Sequence, residues 1–507
     1  MESTHGYMRS IKLWPPSHNT RLVLVERIVK NLTTPSILSR KYGLLSKEEA
    51  EEDAKEIESA AFVAASQQFE KEPESDGTSA VQVYAKESSK LMVEVVKRGS
   101  RPKEDQDVIP ELTTPDQETV FDISGGRRSF IEAEEARELL KPLKEPGNKF
   151  TKICFSNRSF GLPAAHVAAS ILSSIKDQLT GVDLSDIVSR RPAPEAVEVM
   201  RMFSSAIEGS NLSYLNLSNN HLGEQGVRAF GDLLKSQNNL VELYLMNASL
   251  SKEAAKAVCE LIPSTKKLKI LHIHHNMTGD EGAISISQLV KESPNLEDFR
   301  CSSTRVGSRG GVALAEALDT CTVLRKLDLR DNIFGPEPGV TLSQALSIHI
   351  NITELYLSYL NLENEGTISI ANALKSSDSI LEILEMAGNN ITYEAANALA
   401  DCITAKKSSL NKINLSENEL RDEGAIVIGK ALVAEFGRLS IVDLSTNGIR
   451  RDGATALAKA VVGKSGFRLL NINGNFLSHQ GIEDMKAIFK NSPRMLGPLD
   501  ENDPQDT

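Results

Sequence analysis

The pattern L-x-x-L-x-L-x-x-N recurs along the C-terminal three-quarters of the chain and leaves that part few ways to fold. "LSYLNLSNNHLGEQG" places Leu212, Leu215, Leu217 and Asn220, and "LRKLDLRDNIFGPEP" places Leu324, Leu327, Leu329 and Asn332. "LNKINLSENELRDEG" and "LSIVDLSTNGIRRDG" repeat it. The first apolar position falls at Phe150, Leu179, Leu212, Leu240, Leu268, Leu296, Leu324, Ile352, Leu381, Leu410, Leu439 and Phe467: twelve repeats, mostly 28 or 29 residues apart.

The L-x-L step sends alternate side chains to one face of a short strand, and the stretch that follows, as in "DEGAIVIGKALVAE", has helical spacing. Each repeat therefore reads as strand, loop, helix. One unit cannot bury its own leucines, so neighbours must stack. The expected fold is an α/β leucine-rich-repeat solenoid, a ribonuclease-inhibitor-like horseshoe with a parallel sheet on its concave side. Asn220, Asn276, Asn332, Asn418, Asn447 and Asn475 are expected to hydrogen-bond backbone groups in the turn after each strand. "VFDISGGRRSFIEAEEARELLKPLK" (120–144) reads as a degenerate first unit that caps the open end of the stack.

Residues 1–100 lack the repeat. "NTRLVLVERIVKNL", "SKEEAEEDAKEIESAAFVAA" with Ser46 and Glu49 in capping-box spacing, and "SAVQVYAKESSKLMVEVVKR" predict a small all-α domain. The Pro-rich polar stretch at 101–117 reads as a linker, 118–495 as the repeat domain, and 496–507 as a short, acidic, disordered tail. Trp14, the only tryptophan, precedes Pro15 and Pro16. Its ring either packs on the helices or stands exposed as an anchor for a helical partner.

A formal net charge of -12 argues against a general grip on nucleic acid and favours a basic protein partner. The five cysteines form no C-x-x-C pair, which fits a reducing compartment. No apolar run of about 18 residues occurs, so direct membrane insertion is not expected.

Chemistry of the chain's own is scarce. "VVGKSG" (461–466) holds the G-K-S of a phosphate loop, but Ala458 stands where that loop needs glycine, and a repeat helix precedes it. "GGRR" (125–128) reads as a turn in the cap. His272 and His274 share a strand face, yet no carboxylate or cysteine at suitable spacing completes a metal site. No nucleophile with its base, and no pair of carboxylates, assembles from local spacing. What the repeats offer is a concave strip including Asn216, Tyr244, His272, Arg300, Asp328, Arg330 and Tyr356, suited to a protein surface. The interval from Leu179 to Leu212 is longer than its neighbours, and the excess is placed after the strand of "VDLSDIVSRRPAPEA". Arg190 and Arg191 are expected on that extended rim loop.

Two features resemble the plant Ran GTPase-activating proteins and together cover nearly the whole chain. "LWPPSHNTRLVLVERIVKNLT" resembles their N-terminal Trp-Pro-Pro (WPP) domain, and "LTGVDLSDIVSRRPAPEAVEVM" followed by "LSYLNLSNNHLGEQG" and "LVELYLMNASLSKEA" resembles their repeat domain. The resemblance implies activation of GTP hydrolysis on Ran by orienting the GTPase's own catalytic glutamine rather than by an inserted arginine finger. On it, Arg191 and Asn247 match the family's catalytic positions, with Ala248 where a second asparagine is common. Arg190, Asp186, Asn219, Tyr244, Asp328 and Arg330 are candidate partner contacts. No cofactor of its own is implied, GTP and Mg being carried by the GTPase. The implied partners are Ran-GTP with a Ran-binding protein, and coiled-coil nuclear-envelope proteins reached through Trp14, Pro15 and Pro16. The implied setting is the cytoplasm, the outer nuclear envelope and cell-division structures. The competing reading is a non-catalytic leucine-rich-repeat scaffold, an inhibitor or immune adaptor, which would need neither the arginine loop nor the N-terminal module.

Overall fold

The structure, a computed structural model, describes Trp14, Pro16 and residues 18–33, 47–71, 77–98, 119–125 and 129–503. It divides into two compact units between Val120 and Phe121. Ser46, Pro15 and the 101–117 segment lie outside the described residues.

The first unit contains α1 (His18–Thr33), α2 (Lys47–Lys71) and α3 (Thr78–Arg98). Ala50, Ala54, Ile57, Ala61 and Ala65 recur at helical spacing along α2 and form its buried face. Small side chains there let the neighbouring helices approach closely. They also leave room for one large ring, and Trp14 fills it. The indole is 3% exposed, with ring centroids 5.2 Å from Phe62 and 5.9 Å from Tyr84. Gly77, at φ +88°, closes the site, since a Cβ there would lie 2.5 Å from that of Trp14. The exposed-anchor reading of Trp14 is therefore corrected: the residue is core. Two buried carboxylates are paired, Glu58 with Arg21 through bonds of 2.6 and 2.7 Å, and Asp53 with Arg98.

β1 (Thr119–Asp122) spans that division, and the second unit continues with β2 (Ser129–Ile131), β3 (Phe150–Cys154) and β4 (Arg158–Phe160). One strand per repeat follows: β5 (Gly181–Asp183), β6 (Tyr214–Asn216), β7 (Glu242–Tyr244), β8 (Ile270–His272), β9 (Asp298–Arg300) and β10 (Lys326–Asp328). The series ends with β11 (Glu354–Tyr356), β12 (Ile383–Glu385), β13 (Lys412–Asn414), β14 (Ile441–Asp443) and β15 (Leu469–Asn471). Among the described residues, all but β2 and β4 form one sheet in the order β1-β3-β5 and then consecutively to β15, while β2 and β4 pair with each other. Register is strict: Leu215 faces Leu243, which faces Leu271. These middle residues point into the core against the helices, as the L-x-L step requires. Among the described residues no helix is long and apolar enough to cross a membrane.

The turns after the strands are held by asparagine. Asn276 Nδ2 donates to Ile273 O in its own turn and to Leu245 O of the preceding repeat, while its Oδ1 accepts from Ala248 N and Leu250 N. One side chain thus satisfies two turns. That is why the position can be Ala248, Thr304 or Leu360 in alternate repeats, each served by Asn276, Asn332 or Asn389. Asn220, Asn332, Asn418, Asn447 and Asn475 bond as expected. Asn389 and Asn502 belong to the same series.

Asn502 corrects the expectation for the C-terminus. Its Oδ1 accepts from Asn475 N, Gly497 N donates to Leu470 O, and Glu501 N donates to Asn473 Oδ1. Residues 496–503 are therefore a truncated last turn that closes the ladder, and only 504–507 lie outside the described residues. An open β15 would leave the backbone groups of its turn without the partner every other turn has.

Asn276→Ala should destabilise the repeat unit by about 3 kcal/mol, because it strips partners from buried backbone groups in two turns. Arg305→Ala, in an exposed turn of the next repeat, should change it by no more than about 0.5 kcal/mol. Urea unfolding read by circular dichroism measures both, and equal midpoints would refute the ladder's role.

Candidate functional site

Immediately before each ladder position stands a residue forced into the left-handed region: Asp186 (φ 57°), Asn219 (φ 61°), Asn247 (φ 47°), His275 (φ 58°), Ser303 (φ 53°) and Asp331 (φ 55°). The reversal lets each residue's N–H reach the next repeat. Asp186 N donates to Ser218 O, Asn219 N to Met246 O and Asn247 N to His274 O, at 2.9 to 3.1 Å. Asparagine and aspartate tolerate this conformation better than most residues. The consequence is a column of side chains along one rim, in which Asp186, Asn219 and Asn247 are consecutive. Ala248 is fully buried at the ladder position, which fixes the register of Asn247 beside it.

Asn219 and Asn247 are exposed, and Asn247 Nδ2 donates to Asn219 Oδ1 at 2.9 Å. Among the described residues Asn247 Oδ1 accepts no bond, so the pair presents a pre-oriented amide with an open acceptor. Asp186 is 7% exposed and supports the column from inside. Below it, burial pushes the Asp183 carboxyl up from its ordinary range, opposed by hydrogen bonds from Ser185 and Asn216.

The extended loop runs over residues 184–192, whereas the connection after β6 is complete in 217–222. It does not project with both arginines free. Ile187 and Val188 are buried, and Phe160 N donates to Ile187 O. Arg191 turns inward: Nη2 donates to Ser159 O at 2.8 Å, Nε to Ser159 Oγ at 3.2 Å, and Nη1 to Glu132 at 3.3 Å, leaving the side chain 12% exposed. Its guanidinium also lies 5.0 Å from the Phe130 ring centre. Arg190, at φ 60°, is exposed and bonds to none of the described residues. The rim therefore offers one free cation at this loop, and it is Arg190.

The concave strip is largely self-neutralised. Arg330 makes two bonds to Asp328, at 2.8 and 3.0 Å, and one to Glu385 at 3.2 Å, with its guanidinium over Tyr356. Asp328 and Arg330 thus hold each other, three repeats beyond Asn247, rather than standing ready for a partner. Arg330 also belongs with Ser302 and His274, two residues past the column of Asn216, Tyr244, His272, Arg300, Asp328 and Tyr356. Tyr244 lies on β7, in the repeat of Asn247, and its hydroxyl donates to Glu242. Gly125 is described, but residues 126–128 are not.

Comparison with known proteins places this geometry. RAN GTPase-activating protein 1 of Arabidopsis thaliana is 69% identical over 504 residues, covering 99% of this chain and 93% of that protein. The chain belongs to the RAN GTPase-activating proteins. RAN GTPase-activating protein 2 of the same plant is 62% identical over 496 residues, covering 98% and 91%. The WPP domain model matches residues 10–106, and a leucine-rich-repeat model matches 210–231 and 406–429. Over the N-terminal unit, MFP1 attachment factor 1 of Solanum lycopersicum is 44% identical across 93 residues, covering 18% of this chain and 60% of that protein.

Phe130 on β2, Glu132 just after it and Ser159 on β4 of the first repeat occupy no position that the repeat motif marks, so the sequence pattern does not point to them. The one signal was indirect: Gly161 follows the strand of Ser159, and a Cβ there would lie 2.9 Å from Arg191 Nη1. The strip's histidines are neutral at neutral pH. Burial, with His272 and His275 beside it, pushes the His274 imidazole down to about 3. An unfolded histidine titrates near ~6.5, so as pH falls below that value the unfolded chain takes up a proton that the folded chain refuses. Stability due to neutral His274 is full above about 6.5 and drains as pH falls toward 3. Its ring resonances should show no titration between roughly pH 8 and 5 by NMR. A midpoint near ~6.5 would contradict the burial.

Proposed function

We propose that this chain stimulates GTP hydrolysis on Ran from its rim, with the bond-breaking completed in the GTPase. Similarity to two RAN GTPase-activating proteins over nearly full length supports the activity. The exposed Asn219–Asn247 amide pair is the observation that carries the mechanism. Slow GTPases lack a well-oriented attacking water, which a glutamine of their own positions. Asn247 Oδ1, an open acceptor on a rigid turn, complements the N–H groups of such a glutamine carboxamide and holds it at the water. The gain is pre-organisation, and no charge is inserted.

An arginine finger fits poorly. Arg191, anchored at Ser159 O, Ser159 Oγ and Glu132, would have to give up these hydrogen bonds to reach a nucleotide. GTP and Mg belong to the partner, so no cofactor of this chain enters the reaction. Ran-GTP, engaged together with a Ran-binding protein, is the partner this reading assigns to the rim, with Arg190 and Tyr244 beside the amide pair. The N-terminal unit targets the protein to the nuclear envelope through coiled-coil proteins, a reading supported by its likeness to MFP1 attachment factor 1 and to the WPP domain. Trp14 serves that role by holding the helices together.

Single-turnover hydrolysis of GTP on purified Ran tests the activity: wild type should accelerate it strongly, and Asn247→Ala should be slower by roughly a hundredfold. No acceleration at micromolar protein would leave a scaffold. Trp14→Ala should cost the N-terminal unit about 3 to 5 kcal/mol and disperse the protein from the nuclear rim in plant cells, with hydrolysis on Ran unchanged. Retention at the rim would refute the targeting role.

A further inference from the structure

We propose that the solenoid carries a second docking surface, on the sheet edge opposite the asparagine rim, and that its occupant is a short amphipathic helix of another protein with aliphatic residues on one face and a carboxylate beside them. The surface is formed by the residues that lead into β10, β11 and β12. Elsewhere on this edge the exposed positions are polar and bond from repeat to repeat: Asn239 Nδ2 donates to Asn211 Oδ1, Lys267 Nζ to Asn239 Oδ1, and Asn295 Nδ2 to Lys266 O. In three consecutive repeats that column breaks. Val323, Ile350 and Ile380 take its place, 37%, 56% and 61% exposed. Ile350 is turned outward because the buried slot beside it is filled by His349, as Ser293 and Cys321 fill it in the two repeats before.

Branched aliphatic side chains gain nothing from water, and three of them in neighbouring repeats mark a contact made with something else. Together with Arg325, Asn351 and Thr353 they line a shallow pocket of about 450 Å³. Arg325 supplies the charge. Its guanidinium is exposed and, among the described residues, has no hydrogen bond or ion pair, whereas Glu297 of the same pocket is already paired with Lys269 at 2.8 Å. The unmet group is therefore a cation, and its complement is a carboxylate. A patch three side chains long, about 10 Å at the spacing of strands, is too small for the roughly 800 Å² per partner that a stable dimer buries. An extended peptide also fits poorly, because the backbone groups of β10, β11 and β12 are used between neighbouring strands and offer it no ladder. A helix satisfies its own backbone. Its residues at i, i+3 or i+4 and i+7 stand about 5 to 6 Å apart on one face, close to the strand spacing.

Selection from a random-sequence peptide display library on the full-length chain tests this. The peptides retained should carry Leu, Ile or Val at i, i+3 or i+4 and i+7, with Asp or Glu flanking that face. Synthesised and followed by fluorescence anisotropy, they should bind Ile350→Ser combined with Ile380→Ser about tenfold or more weakly than wild type, and Arg325→Glu likewise. Replacing the peptide's carboxylate by lysine should weaken binding to wild type and restore it to Arg325→Glu. All three positions are exposed, so the melting temperature and GTP hydrolysis on Ran should stay at wild-type values in these variants. Retention of no peptide, equal binding of the retained peptides to wild type and to the double serine variant, or a preference for basic peptides would overturn the proposal. So would slower hydrolysis in these variants at an unchanged melting temperature, because the patch would then belong to the GTPase contact. The surface precedes its strands whereas Asn219 and Asn247 follow theirs, so failure of the activator reading would leave the peptide result standing.

Discussion

Everything in the repeat unit depends on how buried turn backbone is satisfied between repeats. A solenoid exposes the end of each strand to its neighbour, and a buried N–H or C=O without a partner costs about 1 to 3 kcal/mol. The asparagine ladder meets that demand by serving two turns with one amide, as Asn276 does for its own turn and that of Ala248. Because each amide is shared, stacking is obligatory: no repeat closes its turn without the next. Asn502 supplies the amide that serves Asn475 after β15, so the residues around it cap the last strand's turn.

The ladder also makes the rim. To bring an N–H to the neighbouring repeat, the residue before each ladder position must take positive φ, and its side chain then points away from the core. Asn219 and Asn247 sit there because of this backbone demand, and the same demand leaves their amides exposed. Their amides ride on turns whose backbone is bonded to the next repeat, Asn219 N to Met246 O and Asn247 N to His274 O. A binding group on such a turn loses little conformational entropy when a partner arrives. The concave strip, which looks richer in charge, has spent its groups on one another: Asp328, Arg330, Glu385 and Lys412 form a closed set.

Periodicity made the strands, helices and leucine core legible from the amino acids, down to the strand at Tyr214–Asn216 and the burial of Leu215. It also puts Asn219 and Asn247 at equivalent turn positions of consecutive repeats, since those positions are counted from the repeat. Legibility failed where a side chain's fate is decided by residues far away in sequence. Arg191 turns inward because of Ser159 on β4 and Glu132 just after β2, 32 and 59 positions earlier, at positions the motif does not mark. Trp14 is buried because α2 presents alanines, a fact of packing that the Trp-Pro-Pro stretch does not contain. The last turn was missed because "LGPLDEN" keeps the spacing of Leu496, Leu499 and Asn502 but lacks the L-x-L step.

The two arginines of the loop show how a single backbone choice divides two chemically identical side chains. Arg190 takes φ 60°, which turns consecutive side chains to opposite sides of the loop. One guanidinium is then committed to the cap and the other to solvent. A non-glycine residue in this conformation stores strain of order 1 kcal/mol or more, and the cap contacts of Arg191 are what offset it. The contacts of Arg191 lie on β4 and just after β2, so the loop's shape is a property of those elements as much as of the loop. The N-terminal end of the solenoid does more than shield leucines. It also bonds the extended loop, through Ser159 to Ser189 O and through Glu132 to Arg191.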